Sequence, residues 1–136
     1  KTAWDMLDLA LEGNVRGAML QFDRLMTSGA DPIGLFAQIS ASLRRLAAAT
    51  RLILSAESSG KRVRLTSALQ EAGVQSFFLN KAENQLRRLG RHRGAKLYDW
   101  LLETDLGMKG ESALPPRLLL ERLLLRIAVP KTEAIA

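Results

Sequence analysis

From Trp4 to Ile127 the apolar residues recur at intervals of three and four, and no stretch alternates apolar with polar between hairpin signals. Intervals of three and four line one face of an α-helix, whereas a half-buried strand needs alternation by twos. Leu, Ala, Arg and Gln dominate the long segments, and the β-branched residues are few and scattered. Both facts favour helix. The chain is therefore read as an all-α bundle of six to seven helices. One domain covers residues 1–129, and a short tail covers 130–136.

Capping residues mark the helix ends. Thr2 and Asp5 form a capping box ahead of Trp4, Leu7 and Leu11. Gly13 and Asn14 end that helix and cap the next, which carries Val15, Ala18, Met19, Phe22, Leu25 and Met26 on one stripe before Gly29. Asp31-Pro32 supplies a capping carboxylate and a first-turn proline. The third helix, over 32–57, spans on the order of 39 Å at about 1.5 Å per residue. Its apolar stripe runs through Phe36, Ile39, Leu43, Leu46 and Ile53, with a longer gap over Thr50. A polar, basic loop is expected over 58–64 and a short helix over 66–72. A helix from Ser76 should turn Phe78, Ala82, Leu86 and Leu89 inward and break at Gly90 and Gly94. The next, over 95–109, should bury Leu97, Tyr98, Leu101, Leu102 and Met108. Pro115-Pro116 starts the last helix and Pro130 ends it. Between them lie six leucines and Ile127, an apolar arc wider than one core-facing stripe needs. Such a helix is central in the bundle or covered by a partner.

Composition closes several routes. The chain has no cysteine, which excludes disulfides, thiol catalysis and cysteine-ligated zinc. The lone His92 cannot build a multi-histidine metal site. No apolar run is longer than four residues, so no segment spans a membrane. Lys1-Thr2-Ala3 offers neither an initiator methionine nor the apolar core of a signal peptide, and a fragment of a longer protein is expected. Gly60-Lys61 lacks the surrounding pattern of a phosphate-binding loop, because Ser55 and Arg62 stand where Gly and Ser or Thr are needed. Asp99, Glu103 and Asp105 sit within helical reach of one another, but basic neighbours one turn away read as surface pairs. His92, between Arg91 and Arg93, reads as a solvated loop residue rather than a base.

Twenty basic and fourteen acidic residues give a net charge of +6. The basic residues cluster. Arg87, Arg88, Arg91, Arg93 and Lys96 fall within ten positions, Lys61, Arg62 and Arg64 form a second group, and Arg44, Arg45 and Arg51 a third. Together they are candidates to track a phosphate backbone. Residues 66–89 have helix-turn-helix spacing, yet the second helix would open with Phe77, Phe78 and Leu79, which want burial rather than base edges.

Several motifs in order resemble a known family. They are Ala3-Trp4-Asp5 with Leu7 and Asp8, Leu11-Glu12-Gly13-Asn14, and Gly29-Ala30-Asp31-Pro32. Leu35, Ile39, Leu43-Arg44 and Leu46 follow, then Ala72-Gly73-Val74, Phe77-Phe78, Lys81 and Gln85. Leu101-Leu102, Asp105, Lys109-Gly110, Pro116, Leu120-Glu121 and Leu123-Leu124-Leu125 close the series. The chain thus resembles, over about residues 3–127, the C-terminal domain of the bacterial DNA polymerase III delta subunit. The resemblance implies a cytoplasmic clamp-loader domain that packs with its neighbours into a helical collar. The assembly opens the sliding clamp and loads it on primed DNA for a DNA-directed DNA polymerase. It implies no cofactor and no catalysis here, and clamp contact only through an N-terminal domain outside this chain. The expected subunit interface lies on the last helix, at Arg117, Leu118, Glu121, Arg122, Leu125 and Arg126. Arg87, Arg88, Arg91, Arg93, Lys96 and Lys109 are the expected DNA-proximal residues, through salt-dependent contacts. The alternative is a stand-alone basic helical nucleic-acid-binding regulator.

Overall fold

The computed structural model describes residues 2–130. Six α-helices follow one another: α1 Ala3–Leu11, α2 Val15–Thr27, α3 Pro32–Ser58, α4 Leu65–Glu71, α5 Leu79–Leu106 and α6 Pro116–Ala128. A 3-10 turn over Ser76–Phe78 precedes α5, and a π-helical turn over Gly107–Glu111 follows it. No strand occurs among the described residues. The tail assigned to 130–136 lies outside the described residues beyond Pro130.

The caps form as the sequence requires. The Thr2 side chain accepts from the Asp5 amide at 3.2 Å, and the Asp5 carboxylate accepts from the Thr2 amide. Asn14 accepts from the Gly17 amide at 2.8 Å, and Asp31 accepts from the Ile33 and Gly34 amides. Each cap satisfies donors that the first helical turn leaves without a partner.

The long helices α3 and α5 pack together, with α4 and α1 against them. Helix α6 lies in the middle of the bundle and touches α1, α2, α3 and α5. Leu119, Leu120, Leu123, Leu124 and Ile127 are all buried. Each such side chain contributes about 1.5–3 kcal/mol of burial. The wide apolar arc of this helix is thus mostly consumed inside its own chain.

The gap in the α3 stripe at Thr50 has a structural cause. Thr50 is buried, bonds back to the Leu46 carbonyl at 3.0 Å, and meets α5 at Gly94. A Cβ on Gly94 would lie 2.5 Å from the Thr50 hydroxyl. Contrary to the expectation from the sequence, Gly94 does not break α5; it lets two helices approach. Gly90 does interrupt the helix, with φ 79° and ψ 170°, and kinks it.

Four aromatic or leucine positions differ from expectation. Tyr98 and Leu102 face outward, not into the core. Phe78 is half-exposed and Phe77 is 88% exposed. The 3-10 turn that carries the two phenylalanines buries no residue at all, so their appetite for burial is not met within the described residues.

Candidate subunit interface

The second half of α5 has two apolar faces. Leu97, Leu101 and Thr104 turn inward. Ala95, Tyr98, Leu102 and Leu106, spaced by three, four and four, fall on the opposite face and are exposed. Leu102 alone is 49% exposed. A surface helix normally reserves that face for polar groups. The stripe begins beside α3, where the Arg51 guanidinium lies 4.7 Å from the Tyr98 ring. Sequence periodicity registered Tyr98 and Leu102 but assigned them to the core, because spacing does not say which of two apolar faces is covered.

The expected interface on α6 borders this stripe through ion pairs. Glu103, next to Leu102, accepts from Arg122 at 2.8 Å and Arg126 at 3.0 Å. Arg126 also lies over the Trp100 ring, 5.8 Å from its centroid. Arg117 pairs with Asp23 on α2 at 3.4 Å. Leu118 is exposed, and Glu121 and Leu125 are half-buried. These arginines are held against their own chain, and each exposed pair contributes only about 0–1 kcal/mol.

The basic residues are scattered by the fold rather than gathered. Arg93 is buried, so it cannot reach DNA, contrary to expectation. Its guanidinium donates to the backbone carbonyls of Leu89 and Arg88 at 3.2 and 3.0 Å, and to that of Ile127. Burial, and then the nearby Arg88 charge, pull its pKa below the ordinary arginine value. Arg87 pairs with Glu83 at 2.6 Å, and Lys109 pairs with Asp105 at 2.9 Å. Arg91 forks onto Glu57, with its Nε 3.0 Å from Oε1. That hydrogen bond holds the Glu57 carboxyl below the usual carboxylate range, with the Arg91 and Arg62 charges adding to it. Of the six expected DNA-proximal residues, Arg88 and Lys96 are exposed and form no ion pair among the described residues. Lys61, Arg62 and Arg64 are exposed in the loop after α3.

The candidate acids show no shared cleft. Asp99 and Glu103 are exposed, and Glu103 and Asp105 are engaged in ion pairs. No group of three metal-ligating side chains comes together among the described residues. No described helix is long and apolar enough to cross a membrane.

A family model for the C-terminal domain of the DNA polymerase III delta subunit matches residues 1–127. The chain belongs to this family. No curated protein and no solved structure matches it significantly. As a delta C-terminal domain it is part of a clamp-loader subunit. The matched residues run from α1 through the last turn of α6, so they include both the outward α5 stripe and the arginine row beside it.

Proposed function

We propose that this delta C-terminal domain is a non-catalytic collar module, which packs against equivalent domains of neighbouring clamp-loader subunits in the cytoplasm. The assembly loads the sliding clamp on primed DNA, and clamp contact lies outside this chain. The observation that carries the reading is the outward stripe Ala95, Tyr98, Leu102 and Leu106. An apolar face on the solvent side of a helix is favourable when a second helical surface covers it. The arginine row of α6, with Arg117, Leu118, Glu121, Arg122, Leu125 and Arg126, forms the polar rim of the same contact. Asp99 and Glu103 are exposed, and Glu103 and Asp105 are held in ion pairs, which supports the non-catalytic part. DNA contact is electrostatic and rests on Arg88 and Lys96, with Lys109 and its partner Asp105 at the margin.

The test is Leu102→Glu in the clamp-loader subunit that carries this domain, read on a sizing column with the other subunits. Assembly should be lost while the circular dichroism of the variant stays native. Arg122→Glu with Arg126→Glu should weaken assembly further from the rim. A complex that forms with wild-type yield in both variants would sink the reading.

A further inference from the structure

We propose that the groove between α1, α3 and the start of α5 is a docking site for an acidic segment of a neighbouring clamp-loader subunit, anchored there by an apolar side chain. The partner's identity rests on the collar reading; the groove itself does not.

The groove has a volume of about 470 Å³. That is in the range of pockets that hold a compact ligand, about 300–1,000 Å³. Its floor is apolar, with Leu7, Leu11, Leu46 and Ala82. Trp4 and Phe78 line it and remain 46% and 48% exposed. Phe77 stands edge-on to Phe78, with ring centroids 5.1 Å apart. Two Trp, four Phe and one Tyr make seven aromatics in the chain, so three of seven are spent on one groove and its mouth. Exposed aromatics concentrated at a concave site are the usual anchors of an interface.

Charge selects the occupant. Asp8 is the one acid among the lining residues, and its carboxylate is already occupied. Lys81 approaches it at 2.6 Å and the Gln85 amide at 3.0 Å. Arg45, also lining the groove, is exposed and has no carboxylate among the described residues. Its side chain runs beside Gly73, where a Cβ would lie 3.7 Å from its Nε. The groove therefore offers an apolar slot with a surplus positive charge at its edge. The complement is a carboxylate close to a large apolar side chain. A nucleic-acid strand fits less well, since it needs a row of cations and the groove lining leaves only Arg45 unpaired among the described residues.

Hydroxyl-radical footprinting of the clamp-loader subunit, alone and in the assembled complex, decides the matter. Oxidation at Trp4 and Phe78 should fall severalfold on assembly. Arg45→Glu should return those two residues toward their free reactivity, while Tyr98 stays protected by the collar contact. Equal reactivity of Trp4 and Phe78 in free and assembled protein overturns the proposal. So does protection already complete in the free subunit, or protection unaffected by Arg45→Glu. Protection that appears only when DNA is added assigns the groove to nucleic acid instead. The collar reading fails separately, when the Leu102→Glu and the Arg122→Glu with Arg126→Glu variants still assemble with wild-type yield, and that failure also removes the proposed partner.

Discussion

Arg93 on α5 donates a hydrogen bond to the backbone carbonyl of Ile127 in the last turn of α6, thirty-four residues away. The same guanidinium serves the carbonyls of Arg88 and Leu89, which precede the Gly90 kink. One buried side chain beyond the interruption thus reaches back to acceptors before it and ties the kink to the central helix. Arg93→Met keeps the bulk and removes all three bonds. It should lower the unfolding free energy by about 2–4 kcal/mol in urea titrations, because buried acceptors lose their donors. Arg93→Lys should recover only part, since an ammonium lacks the fork. A Met variant as stable as the parent would show the bonds to be incidental.

Gly90 and Gly94 should respond differently to alanine. At Gly94 the new methyl collides with Thr50, and overpacking costs about 1–3 kcal/mol. Thr50→Ala removes the colliding hydroxyl and should restore part of that loss in the double variant. At Gly90 nothing lies within 4 Å, but the backbone angles are open essentially to glycine alone. Gly90→Ala should also cost about 1–3 kcal/mol. Thr50→Ala should not rescue it. Thermal melts of the four variants test this, and equal rescue at both glycines would contradict the geometry.

Helix α6 is tested by comparing two leucines on it. Leu120 is fully buried, and Leu120→Ala should destabilise by about 2–5 kcal/mol. Leu118 is 43% exposed, and its alanine variant should cost less than about 1 kcal/mol. Similar losses at the two sites would mean that α6 is not the centre of the bundle.

The Glu57–Arg91 pair predicts an acid-side sensitivity. The folded-state pKa of Glu57 is depressed, so its stabilising contribution is present above the ordinary glutamate pKa. It is lost as the pH falls below that value and through the folded one. Melting temperature should therefore drop over this acidic window. Glu57→Gln should flatten that part of the profile and leave the neutral-pH melt nearly unchanged, as befits an exposed pair. High salt should flatten it too. A variant profile that overlays the parent's at acid pH would refute the assignment.

DNA binding by this domain should be weak and shallow in its salt dependence. With Arg88 and Lys96 as the contacts, the log–log salt slope should be about −2, from roughly 0.9 counterions per phosphate contact. Fluorescence anisotropy with a primed duplex between about 50 and 200 mM salt measures it. Arg88→Glu with Lys96→Glu should abolish binding. A slope of about −5, as the whole Arg87-to-Lys109 set would give, would contradict the burial of Arg93 and the pairing of Arg87, Arg91 and Lys109.

Much of the fold was legible because helices are local. Thr2, Asn14 and Asp31 accept from amides two or three residues on, and the prolines at 32 and 116 fix their own φ in the first turn, so their positions in the sequence set where those helices begin. The site was less legible. Basic residues close in sequence looked like one patch, yet one is buried and three are paired, with partners as far as Glu57 on another helix. Phe77 and Phe78 read as core and stand at the mouth of a groove.

Capping and periodicity depend on neighbours within a turn, so the residues alone were enough to read this chain as helical, to place the starts of α1, α2, α3 and α6, and to show which family it resembles. Packing between helices settled that Gly94 admits α3, that Arg93 is buried on Ile127, and that Tyr98, Leu102 and Leu106 face outward. Those outcomes depend on which helix face another segment, tens of residues away, happens to cover, and intervals of three and four do not encode that choice.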